Sequence, residues 1–345
     1  MLLARGETRG ARARRGGTTI LAAVGIVTLG LAVSNCDAPG GHSDADAFQA
    51  ALHPDALPSD ANTGTDAAAG ADTAGLDEAA SAVCERWIAD RAFLTEGRWS
   101  GRASTCEAGE WPSPGPENTL RQVNLHRFLA GLPPVELDAR KSADAQACAL
   151  MMDANDDILH EIPTSWDCRS AAGVDAAGLS NLATTPGVAS IALYMVDNGV
   201  ETLGHRRWIL SNSLGPIGVG STNAFSCLHV IGGEGSAGAA WTAWPPPGPV
   251  PLAALHGVWW AGVDEAGWSV QSDRIDLRQA TVTVTVDGEE MPVSQWTLAR
   301  GYGSEFGLGF TPVGWHTTEG VTYHVEVSGA REPIAYDVAV VGCGD

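Results

Sequence analysis

Gly204-His205-Arg206-Arg207-Trp208-Ile209-Leu210 stands between a helical half-chain and a strand-rich one. Upstream, Val188, Ile191, Ala192 and Met195 recur at i, i+3, i+4 and i+7, which predicts a helix running to the Asn198-Gly199 stop. Leu120, Val123, Leu125, Phe128 and Leu132 predict an earlier helix that ends at Gly131, and Ala139–Met152 an Ala-rich one. His205–Leu210 reads as a short helix after Gly204. Beyond it, Ile217–Ser221, Phe225–Val230 and Ala239–Trp244 read as strands. Helices first and strands later predict an α/β fold, a three-layer α-β-α sandwich over residues 115–245.

Trp244-Pro-Pro-Pro-Gly-Pro249 then forms a stiff boundary. Thr281–Val286 alternates strictly and meets an Asp287-Gly288 hairpin turn, and Val321–Val327 and Tyr336–Val340 alternate too. Short alternating strands over 249–345 predict an immunoglobulin-like all-β sandwich.

The N-terminal side is different again. Arg5, Arg9, Arg12, Arg14 and Arg15 precede an uncharged stretch, Thr18–Val33, as in a signal peptide over residues 1–35. Val33-Ser34-Asn35-Cys36 resembles a bacterial lipobox, in which Cys36 would be lipidated. Ala32-Val33-Ser34 offers the alternative of an ordinary cleavage site and a secreted product. Residues 36–81 are an acidic Ala/Asp/Gly-rich tract, expected to be a disordered tether because it cannot bury enough apolar area to offset its ordering entropy. Residues 82–114, with Cys84, Trp87 and Phe93, read as a disulfide-pinned extension.

If Cys36 carries lipid, the other six of the seven cysteines can pair completely. Local spacing suggests Cys84 with Cys106 and Cys148 with Cys168, leaving Cys227 with Cys343. That is one of fifteen connectivities. The 345 residues, 44% hydrophobic, suffice for two cores, and a net charge of −21 argues against a nucleic-acid partner, since displacing counterions needs concentrated Lys and Arg.

Common catalytic signatures fail. Glu234-Gly-Ser-Ala-Gly238 lacks the first glycine of a nucleophile elbow, His160-Glu161 lacks the second histidine of a zinc-protease helix, and no glycine-rich phosphate loop opens a helix. What remains is Asn124-Leu-His-Arg127, Leu137-Asp138, Ala145-Gln146, Leu159-His160, Ser180-Asn-Leu-Ala183 and Gly204–Leu210. In this order and spacing they resemble the CAP superfamily, the cysteine-rich secretory, antigen 5 and pathogenesis-related proteins with SCP-like domains, in its bacterial form.

The resemblance implies a central cleft in which His160 and His205 match the two family histidines that can hold a divalent metal such as zinc. Ser180 stands where the family usually has Glu, and Asp197 is the nearest acidic substitute, with Glu161 and Glu201 behind it. The cleft set is therefore His160, His205, Ser180, Asn181 and Asp197, with weak metal binding expected because carboxylate ligands are missing. Arg206 and Arg207 read as a solvated face with one ion pair, and Trp208, Trp259 and Trp260 as buried core more than as a ligand shelf. The expectation is an exported, lipid-anchored cell-envelope protein, periplasmic or on the outer surface. It would touch the membrane through Cys36 and bind an extracellular lipid, glycan or protein without catalysis. The rival readings are a protease-like or metal-assisted hydrolase using His160 and His205 with Ser180, and adhesion through the β-sandwich.

Overall fold

The computed structural model describes residues 68–344. The signal segment, the lipobox at Cys36 and the start of the tether lie outside the described residues. Helix α1 (Ala68–Arg91) begins inside the tract expected to be a disordered tether. Its Ala-rich sequence has high helix propensity, and its C-terminal part is anchored by Trp87, only 5% exposed.

After a loop, α2 (Gly115–Leu129) and α3 (Ala139–Asn155) follow, then α4 (Ala171–Gly178), β1 (Ser180–Ala183), α5 (Gly187–Val196), α6 (Gly204–Ile209), β2 (Gly218–Ser221) and β3 (Ser226–His229). The strands form an antiparallel sheet in the order β1-β3-β2. Every strand residue is buried, because helices cover both faces. On one face α3 and α4 pack through Ala145, Ala149, Met151, Ala177 and Leu182. On the other, α2 and α5 pack through Leu125, Ile191, Val219 and Leu228. The expected α-β-α sandwich is thus present. Such double burial explains why β1 has no polar–apolar alternation to announce it in the sequence.

Capping sets the helix limits. The Asp138 carboxylate accepts from the Lys141 N–H at 2.7 Å at the start of α3. Glu96 does the same for α5, accepting from the N–H groups of Val188 (2.9 Å) and Ala189 (2.7 Å). In α2 the expected apolar face is only partly used. Leu125 is fully buried, whereas Phe128 is 39% exposed and lies under the Arg86 guanidinium.

Gly218 and Gly220 set how closely α3 approaches the sheet. A Cβ on Gly220 would lie 2.2 Å from the Ala145 carbonyl carbon and the Gln146 nitrogen, and one on Gly218 would lie 2.3 Å from the Lys141 carbonyl carbon. Backbone cannot step aside as a flexible side chain can. Gly220→Ala is expected to push α3 off the sheet and destabilise the protein by about 2 kcal/mol. Urea denaturation checks this, and an unchanged midpoint would show that the layers separate freely.

Strand β4 (Thr242–Trp244) leaves this unit, although it lies before the expected boundary at 249. It pairs with β6 (Trp268–Ser272) in a second sheet. After β5 (Gly248–Pro251), the short helices α7 (Leu252–Leu255) and α8 (Val263–Ala266) precede β6. The strands β7 (Thr281–Val286), β8 (Glu289–Met291), β9 (Val293–Leu298), β10 (Phe306–Pro312), β11 (Thr322–Ser328) and β12 (Ile334–Val341) complete two sheets, β4-β6-β10-β9 and β5-β12-β11-β7-β8. All pairings are antiparallel except β5 with β12. The alternation in β11 and β12 turns one face inward, and Trp268 of one sheet meets Tyr323 of the other edge-on at 5.6 Å. This is the expected all-β sandwich.

The six cysteines pair, but none with its expected partner. The bonds are Cys84–Cys343, Cys106–Cys168 and Cys148–Cys227. Sequence proximity favoured local loops, whereas the fold lays α1 along β5 and β3 under α3, bringing distant cysteines together.

Candidate functional site

The site forms where α5 ends. Asp197 closes that helix in the left-handed conformation (φ 58°), and Leu203 (φ 48°) turns the chain into α6. His205 is thereby set against Asp197. The Asp197 carboxylate, 1% exposed, accepts from His205 Nδ1 at 2.7 Å through one oxygen and from the Arg206 backbone N–H at 3.2 Å through the other. Asn181 on β1 fixes α6 from the other side, donating to the His205 carbonyl at 3.0 Å.

Because Nδ1–H faces the carboxylate, His205 presents Nε2 outward. Its ring lies nearly parallel to Tyr194, with centroids 5.3 Å apart. Burial disfavours the imidazolium, but the charge of Asp197 and its hydrogen bond outweigh burial, and the His205 pKa stands above the ordinary histidine value. The dyad borders a cleft of about 210 Å³ whose walls include Ile158, Leu182, Val196, Val258 and Trp260. One polar edge beside an apolar wall suits an amphipathic group.

The other expected residues are placed differently. His160 is exposed, and its Nδ1 is hydrogen-bonded to the Ala177 carbonyl at the end of α4 (2.8 Å). The cleft wall reaches Ile158 and does not include His160. Ser180 is fully buried, and its hydroxyl has no hydrogen-bond partner. It shares a sheet face with Leu182, which packs under α3 and α4, while Asn181 between them points to α6. A serine nucleophile needs a base within hydrogen-bond reach and access for substrate. Ser180 has neither.

Nor do the residues fit a metal. Among the described residues no three His, Cys, Asp or Glu side chains converge as a metal cage requires, and both oxygens of Asp197 are already engaged.

Two features escaped the sequence reading. Trp259 and Trp260 are 92% and 53% exposed, not core, and meet edge-on beside the cleft. Arg206 and Arg207 are fully buried and face carbonyl, amide and hydroxyl oxygens instead of water or a carboxylate. Arg206 donates to the Met195 and Val196 carbonyls at the end of α5 (both 2.6 Å) and to Gly267 and Ser269 beside and on β6 (2.7 and 3.2 Å). Arg207 donates to the Ala299 carbonyl at 2.7 Å and to the Ser304 hydroxyl at 3.0 Å. The arginine pair within α6 therefore joins the α-β-α unit to the β-sandwich. Arg127, also buried, donates to the Ile209 and Ser211 carbonyls just behind α6.

Residues 120–228 match the family model of the cysteine-rich secretory protein family, CAP. The match spans α2 to β3 and leaves the β-sandwich outside it. Neither a curated protein nor a solved structure matches the chain.

Proposed function

Residues 120–228 form a CAP superfamily domain, and from that premise we propose that the protein is an exported, lipid-anchored cell-envelope binding protein. Its cleft beside His205 holds an amphipathic extracellular ligand, a lipid or glycan segment, without converting it. The observation that carries this reading is the Asp197–His205 pair set in an apolar wall with Trp260. Among the described residues no Ser, Thr or Cys side chain is hydrogen-bonded to His205 or His160. Three disulfides accord with an oxidising compartment. The arginine-rich start, the apolar stretch and Cys36 support export and anchoring.

The test has two arms. Labelled palmitate should be incorporated into the protein and lost in Cys36→Ala, with the product released to the medium. The purified protein should bind one class in a panel of envelope lipids and glycans, with Trp260→Ala weakening binding tenfold or more. It should show no turnover of ester, peptide or glycoside substrates. Turnover abolished by His205→Ala would overturn the binding-only reading.

Asp197→Asn supplies a further check on the site. Removing the carboxylate charge while keeping an acceptor is expected to lower the His205 pKa, followed by NMR titration of the imidazole. An unmoved titration would mean that Asp197 does not set the protonation of the cleft.

A further inference from the structure

A second cavity, of about 280 Å³ and half open to solvent, lies on another side of α5, lined by residues of α1, the loop after it, α2, α5 and α7. Its apolar lining mixes the large side chains of Trp87, Leu94, Val188 and Met195 with the small ones of Ala192, Ala253 and Ala254, which leave space between them. Two polar side chains nine-tenths or more buried also face it, His126 (4% exposed) and Gln122 (3%).

Their hydrogen bonds fix what they offer. His126 Nδ1 lies 2.9 Å from the Gln122 carbonyl, an acceptor, so the proton is on Nδ1 and Nε2 carries a lone pair. Among the described residues Nε2 makes no hydrogen bond to the protein. The Gln122 side-chain amide donates to the Asp90 carbonyl at 2.8 Å, leaving its Oε1 as an acceptor. Burial, and behind it the nearby Arg91 charge, push the His126 pKa down to about 4, so the ring is neutral at physiological pH. The inner end of the cavity therefore presents acceptors to a donor the protein does not supply.

Charge points to a neutral guest. Arg91, stacked on Trp87 with its guanidinium carbon 4.4 Å from the ring centroid, borders the same space as Glu96, whose carboxylate caps α5. One cation and one anion at the lining leave no net attraction for an ion. As to size, a dry cavity of about 150 Å³ is enough to take benzene.

We propose that this cavity is a binding site for a small neutral ring compound bearing a hydroxyl, of the phenol type, which donates its O–H to His126 Nε2 and lays its ring against Ala192 and Ala254. The site is separate from the cleft at His205 and does not depend on the function proposed for that cleft.

Calorimetric titration of the disulfide-intact protein at pH 7 with phenol and with anisole, the same ring without the donor, tests it. Phenol is expected to bind one to one with a submillimolar Kd, and anisole at least tenfold more weakly. His126→Phe keeps an aromatic ring between Trp87 and Trp244 and should reduce phenol to the anisole level while leaving anisole unchanged. Ala192→Leu, on a half-buried position of α5, should abolish both. Equal affinity for phenol and anisole, no phenol binding, or phenol binding that survives Ala192→Leu would each overturn the proposal. The ligand comparison and Ala192→Leu decide the matter even if His126→Phe does not fold.

Discussion

Arg206→Met is expected to destabilise the protein by about 4 kcal/mol, read as a shift in the urea midpoint at constant slope. The guanidinium is buried, and it satisfies the last two carbonyls of α5 together with Gly267 and Ser269 of the β-sandwich. Methionine matches much of the volume but leaves these acceptors without donors. Each orphaned buried acceptor costs about 1–3 kcal/mol, partly relieved where water enters. Burial lowers the Arg206 pKa to about 10, which still leaves the group charged at neutral pH, so its hydrogen bonds are of the stronger, charge-assisted kind. Arg206→Lys should recover less than half of the loss, because one ammonium cannot span acceptors on opposite sides of a planar fork. Against a total stability of about 5–15 kcal/mol, the methionine variant would stand near its folding threshold. A loss below about 1 kcal/mol would show that the Arg206 hydrogen bonds contribute little to holding the two units together.

Acidification supplies the second large effect. His126 is buried between Trp87 and Trp244, and its pKa falls from 6.5 to about 4, chiefly through burial, with Arg91 adding to the decrease. The unfolded chain therefore takes up a proton on this residue at a higher pH than the native protein does. The stability His126 confers is complete above about pH 6.5 and is lost as pH falls through 4, a span of about 3 kcal/mol. His205 runs the other way. Its raised pKa makes its contribution complete below the ordinary histidine value, and that contribution is lost as pH rises through the folded value. Subtracting the urea stability of His126→Phe from that of the parent at pH 7, 5.5 and 4 isolates the first term. A difference that does not change over this range would mean that His126 is hydrated in the native state.

What the sequence revealed depended on whether the determining contacts were local. Helix spacing in Val188–Met195 and strand alternation in Thr281–Val286 report faces directly, and both elements formed as read. Asp197 was legible as the nearest acidic substitute for a missing family carboxylate, but its pairing with His205 was not, since Glu201 lies closer in sequence and the left-handed close of α5 decides which carboxylate meets the ring. Nothing local distinguishes Arg206 and Arg207 from a solvated basic pair. Their burial follows from carbonyls gathered out of α5, the Gly267 turn and the β9–β10 loop. The same holds for β4, whose partner comes 25 residues later or more, and for the disulfides, whose connectivity is decided by which elements stack. Trp259 and Trp260 were misplaced because aromatic residues are usually interior, whereas here the isolated bridge between Val258 and Ala261 leaves both rings outside.

Cys84 and Cys343 turn the intervening chain into a covalent ring, and the other two bonds interlock within it, since Cys148 falls inside the Cys106–Cys168 span and Cys227 outside it. A protease that cuts once inside the ring opens it and releases no fragment. Mechanical load is likewise redirected. Tension applied ahead of Cys84 passes through one covalent bond to the residues just after β12 and bypasses the layered unit, so a pull on the N-terminal side strains a sulfur bridge before it can peel α2 or α3 from the sheet.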